Sequence, residues 1–142
     1  MTLTIDLTLA DMNLTFTPDT SRVTVIGRDT TGRDLVWERV CALGDLEPSW
    51  GEAALVRQEQ IALFLLSPTE IYAVTHRDPH TAAHVMARGI VGSKGDRPTI
   101  SSPLHKQVYD LGTGECFSDP ALALQTYPTR VVGGFIEVAV TR

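Results

Sequence analysis

Two short loops carry the residue types best suited to chemistry. The first is Asp78-Pro79-His80 and the second is Ser102-Pro103-Leu104-His105. Asp78, His80 and His105 together supply one carboxylate and two imidazoles, the ligand pattern of mononuclear non-haem iron sites with open positions. The plainer alternative is that His80 and His105 hydrogen-bond across the loops and hold them shut. His76, His80 and His84 recur every fourth residue, as they would on one face of a helix, but Pro79 pushes the residue before it out of helical geometry. Ser102 with His105 three residues on has the types of a nucleophile and its base, yet no G-x-S-x-G elbow surrounds it. Cys41 follows an expected core strand and Cys116 a tight turn, so both are expected to be buried structural thiols.

Charge is distributed unevenly around these loops. Between Thr75 and Lys106 five cations, Arg77, Arg88, Lys94, Arg97 and Lys106, face two acids, Asp78 and Asp96. That segment carries +3 and the remainder −8, for a net charge of −5. A basic tip on an acidic body points to docking on an acidic surface or a phosphate-bearing group. The overall acidity speaks against a nucleic-acid partner, because phosphate binding calls for a basic surface.

Length and composition allow one domain with a real core: 142 residues, 43% hydrophobic and 20% charged. Two cysteines are too few for a secreted disulfide scaffold. No apolar run approaches membrane-spanning length, and the N-terminus lacks the pattern of a signal peptide. A cytoplasmic protein without a membrane partner is therefore expected.

The elements that must position the loops are all strands. Residues 1–32 form an expected N-terminal arm in which Leu3, Ile5, Leu7 and Leu9 alternate with polar residues, as Leu14 and Phe16 do later. Such an arm suits a strand added to this sheet, a strand added to another subunit, or a loose tail. Residues 33–142 form the domain. Strands are expected at Leu35–Cys41, Ala53–Arg57, Gln60–Ser67 and Glu70–Thr75, the last two joined around Pro68. Thr81–Met86 suits a helical turn before Gly89. Arg97–Ser101 and Gln107–Leu111 bracket the second loop. A hairpin closes the chain, with Thr126–Val132 and Phe135–Val140 joined at Gly133-Gly134. Many short strands at close spacing predict an all-β sandwich or small barrel of antiparallel sheets.

The paired proline loops, the Tyr109-Asp110 pair and the Thr113-Gly114 turn resemble a Rieske cluster-binding subdomain in which both cysteines are replaced, by Asp78 and Ser102. A Rieske centre needs two thiolates on one iron and two imidazoles on the other. A carboxylate and a protonated hydroxyl do not substitute for soft anionic sulfur. Trp37 near the start, IALF and IYAV before the first loop, and the closing Gly-Gly hairpin extend the resemblance to a Rieske-type ferredoxin fold over roughly Leu35 to Val140.

Within that superfamily the chain is similar to the small subunits of NAD(P)H-dependent assimilatory nitrite reductase. Ala87-Arg88-Gly89-Ile90, Lys106-Gln107, Tyr127, Arg130 and Gly134 carry that likeness. The resemblance implies a non-catalytic subunit with no cofactor of its own. It also implies a large catalytic partner carrying FAD, siroheme and an iron–sulfur cluster. Arg77, Arg88, Lys94, Arg97 and Lys106 would form the docking face. Two alternatives stay open: a mononuclear metal protein using Asp78, His80 and His105, and a ferredoxin-like electron carrier.

Overall fold

The computed structural model describes residues 2–4, 25–28 and 32–141. In chain order the first six strands are β1 (Thr2–Thr4), β2 (Val25–Arg28), β3 (Asp34–Ala42), β4 (Glu52–Val56), β5 (Glu59–Ser67) and β6 (Glu70–Thr75). The remaining six are β7 (Ile90–Lys94), β8 (Arg97–Ser101), β9 (Val108–Asp110), β10 (Thr126–Tyr127), β11 (Thr129–Val132) and β12 (Phe135–Thr141). They form a five-stranded sheet β1-β4-β5-β6-β10, a four-stranded sheet β11-β12-β3-β2 and a three-stranded sheet β7-β8-β9. Every pairing is antiparallel except β1 with β4.

The five-stranded sheet is the centre because it is covered on both faces. Toward the four-stranded sheet, Ile61, Leu63 and Leu65 of β5 pack with Val40 and Cys41 of β3 and with Ile136, Val138 and Val140 of β12. Toward the three-stranded sheet, Ala62 and Phe64 of β5 pack with Met86, Ile100, Tyr109, Leu111 and Leu124. Successive residues of a strand point to opposite faces. A strand buried on both sides must therefore be apolar without alternation, which is why Ile61 to Leu65 is a continuous apolar run.

The expected all-β architecture is the one observed, with differences that have physical causes. Arg57 lies outside its strand: with Gln58 it makes the β4–β5 turn at φ +46° and +72°. A guanidinium bond from Arg57 to the mostly buried Glu38 supports this left-handed pair. The expected strand Thr126–Val132 is split at Pro128. Its first half pairs with β6 and its second half with β12, so the chain crosses from one sheet to the other there. Pro128 has no N–H to continue a ladder, and its carbonyl accepts the Ala139 N–H at 2.9 Å.

The helical turn expected over Thr81–Met86 sits later, at Met86–Arg88. The cause is His76, whose carbonyl accepts the N–H groups of Val85 and Met86 and whose Nδ1 accepts that of Ala87. Strand β7, which no expectation covered, is largely exposed. Thr2–Thr4 of the arm pairs with β4, while Leu14 and Phe16 lie outside the described residues.

Candidate functional site

The two proline loops extend from the three-stranded sheet, the first between β6 and β7 and the second between β8 and β9. Each is folded by the same local device. In the first, Asp78 Oδ1 accepts the N–H of His80 at 2.8 Å. In the second, Ser102 Oγ accepts the N–H of Leu104 at 3.3 Å. These are turns in which a short polar side chain satisfies a backbone donor two residues on. Further backbone bonds close each loop, Ala82 N–H to Asp78 O at 2.7 Å and Ser102 N–H to Gln107 O at 2.8 Å.

The two turn residues also bond each other. The Ser102 hydroxyl donates to Asp78 Oδ2 at 2.5 Å, and neither side chain is more than 1% exposed. Burial by itself raises the Asp78 carboxyl pKa. Donation from Ser102, His80 and Thr81 outweighs that and holds it below the usual carboxylate range. The link between the loops therefore runs through the aspartate and serine. The histidines above it are exposed, and the rings of His80 and His105 meet edge to face at 4.9 Å.

This arrangement can be tested for its fit to an iron–sulfur cluster. The positions that would supply two thiolates hold oxygens already committed to each other and to backbone N–H groups. Cys116 is buried against Ser118 and Gln107 and Cys41 lies in the core between the two larger sheets, so neither belongs to the loops. The donor set does not fit the cluster. Nor, among the described residues, is any group of three His, Cys, Asp or Glu side chains placed to hold a metal ion. Asp78, His80 and His105 share the tip, but the carboxylate faces inward to Ser102.

His76 and His84 form a second pair, with ring centroids 6.2 Å apart. His76 is buried, and burial first, then the neighbouring His84 and Arg88, lower its pKa. The neutral ring is what Nδ1 needs in order to accept the Ala87 N–H at 3.1 Å.

Behind the loops, Asp110 organises the base of the tip. Its Oδ1 accepts the N–H groups of Gly112 and Thr113 at 2.6 and 2.9 Å, and its Oδ2 accepts Arg97 Nε at 2.5 Å. Burial raises the Asp110 pKa, and those three donors together bring it below normal. Gly114 follows at φ +81°, where a Cβ would stand 1.9 Å from the Leu124 carbonyl oxygen. Only glycine fits that position. Tyr109 is fully buried, its hydroxyl has no hydrogen-bond partner among the described residues, and burial, then Cys116 and Asp78, push its pKa up to about 12.

The five expected docking cations separate into two groups. Arg97 is paired with Asp110 and, at 2.8 Å, with Glu115, and it lies over the Phe117 ring. Lys94 sits over the same ring at 4.4 Å. Arg77, Arg88 and Lys106 are exposed and form no ion pair with a described residue. Sequence reasoning missed Trp50, an exposed aromatic in the turn before β4, because a single tryptophan between a serine and a glycine gives no periodic signal.

Comparison with known proteins agrees with this geometry. Residues 36–139 match the model of the Rieske-like [2Fe-2S] domain family. The nitrite reductase (NADH) small subunit of Salmonella typhimurium is 30% identical over 103 residues, which is 72% of this chain and 95% of its own length. A crystal structure of an NADH-dependent nitrite reductase small subunit from Mycobacterium tuberculosis superposes with a TM-score of 0.72 at 40% identity. It covers 76% of this chain and 97% of that one. The nitrite reductase [NAD(P)H] large subunit of Klebsiella oxytoca contains a stretch 31% identical to 72% of this chain, which is 11% of that protein. With its two proline loops, its Asp110-anchored turn and these relatives, the chain belongs to the Rieske-like [2Fe-2S] domain family and, within it, to the small subunits of NADH-dependent nitrite reductase.

Proposed function

We propose that this chain is the non-catalytic small subunit of a cytoplasmic enzyme that reduces nitrite to ammonium with NAD(P)H, and that it carries no cluster of its own. The observation that carries the proposal is the buried Ser102–Asp78 bond, which occupies the two positions a cluster would need as thiolates. The electron path then runs wholly through a large catalytic subunit holding FAD, siroheme and an iron–sulfur cluster. The role left for this chain is to bind that subunit through its basic tip, with Arg77, Arg88 and Lys106 as the available cations. The likeness to a stretch of the Klebsiella oxytoca large subunit supports this partner, since a domain of this kind there belongs to the same polypeptide.

The test combines spectroscopy with reconstitution. Purified anaerobically, the chain is expected to be colourless and to hold no stoichiometric iron or labile sulfide. Added to the purified large subunit, it is expected to bind and to raise NAD(P)H-dependent ammonium production. A Rieske-like spectrum with about two irons per chain would end the cluster-free reading. Ammonium production indifferent to the chain would end the supporting role.

A further inference from the structure

We propose that an exposed apolar strip, Trp50, Ile90 and Leu104, anchors the tip in an apolar pocket rimmed by carboxylates on the large catalytic subunit. The inference rests on the partner assigned above and specifies the surface by which it is held. Trp50 is 55% exposed, Ile90 70% and Leu104 40%, on three separate segments. Backbone contacts set those segments side by side. A Cβ on Gly51 would lie 2.2 Å from the Ala87 carbonyl oxygen, and one on Gly89 would lie 2.4 Å from that of Ser101. Trp50-Gly51 therefore abuts the Ala87–Ile90 segment, which in turn abuts Ser101 and the second loop. Ile90 is also the register partner of Ser101 across β7 and β8.

These segments and the neighbouring first proline loop supply three exposed cations that have no ion pair with a described residue. Arg88 directly precedes Gly89-Ile90, Lys106 closes the loop that carries Leu104, and Arg77 lies in the first proline loop. An aromatic anchor and an aliphatic side chain beside arginine are the composition in which binding energy concentrates. The surrounding charge governs encounter and orientation with an acidic partner. The other exposed apolar group, Val131, Val132 and Phe135 at the β11–β12 hairpin, is served differently. Arg39 covers the Phe135 ring at 4.3 Å, and Arg130 covers Trp37 while bonding Glu137. Cations there are already matched within the chain.

The experiment measures affinity of the full-length chain for the purified large subunit at low and high salt. Trp50→Ala and Ile90→Ser are each expected to weaken binding about 30-fold or more. The loss should persist at high salt, with an unchanged melting temperature. Arg88→Glu with Lys106→Glu should weaken binding mainly at low salt. Val132→Ser is the control and should bind as the unaltered chain does. If both apolar variants stay folded and bind at full strength, this surface is wrong and the partner stands. If the unaltered chain itself does not bind the large subunit, the partner assignment falls and this inference with it.

Discussion

Ser102 and Asp78 lie 24 residues apart, each folds its own turn, and one buried hydrogen bond from hydroxyl to carboxylate joins the two turns. The pair is therefore a structural clasp for the tip. Ser102→Ala leaves a buried carboxylate short of a donor. A hydrogen bond to a charged group contributes about 1.5–3 kcal/mol, and the variant is expected to lose that much in urea denaturation. Ser102→Thr, which keeps the hydroxyl, should lose less. Equal stability of Ser102→Ala and the unaltered chain would show that the bond contributes nothing.

Acid should weaken the fold in two steps. His76, Asp78 and Asp110 all have folded pKa values below their ordinary ones. For each, the unfolded chain takes up a proton before the folded chain does, so the stabilisation is complete above the ordinary pKa and declines as pH falls below it. The first decline is expected below pH ~6.5 from His76, and the second below pH ~4 from the two aspartates. Melting temperatures from pH 8 downward would show both. His76→Gln should abolish the upper step and leave the lower one.

The two groups of cations should respond differently to charge reversal. Arg97→Glu would set a carboxylate against Asp110 and Glu115 and should lower the melting temperature by several degrees. Arg77→Glu, Arg88→Glu and Lys106→Glu change exposed charges and should leave stability within about 0.5 kcal/mol. Thermal melts of the four variants decide the matter, and a stable Arg97→Glu would contradict the pairing.

Gly114→Ala and Gly95→Ala separate crowding from backbone strain. Both glycines have positive φ, +81° and +65°, but a Cβ collides only at Gly114, since nothing lies within 4 Å at Gly95. The left-handed conformation alone costs about 1–2 kcal/mol for a residue with a side chain. Gly95→Ala should lose about that much and Gly114→Ala clearly more. Equal losses in chemical denaturation would mean that the Leu124 carbonyl yields without cost.

Much of the fold was legible along the chain because it rests on local rules. Glu70–Thr75 and Arg97–Ser101 match the observed strands at both ends. Gly133-Gly134, both at positive φ, make the expected hairpin turn. The Tyr109-Asp110 and Thr113-Gly114 motifs proved to be one device, an aspartate bonding the following turn and a glycine where no Cβ fits. Strand β7 escaped notice because it is mostly exposed and so has no reason to be apolar. Pro128 was passed over because both halves of its segment favour strands, and only the surrounding sheets decide that they serve different ones.

At the tip, residue types alone determined that two loops share a design and that two thiolates are missing from it. Tertiary structure decided the rest. It closed the gap with a bond between Asp78 and Ser102, left His80 and His105 outside it, paired Arg97 with Asp110 and set Gly51 against the Ala87 carbonyl. The reason is physical. Turn preference, charge and ligand chemistry belong to a residue and its covalent neighbours, whereas burial and pairing depend on which distant segments the sheets bring within a few ångströms.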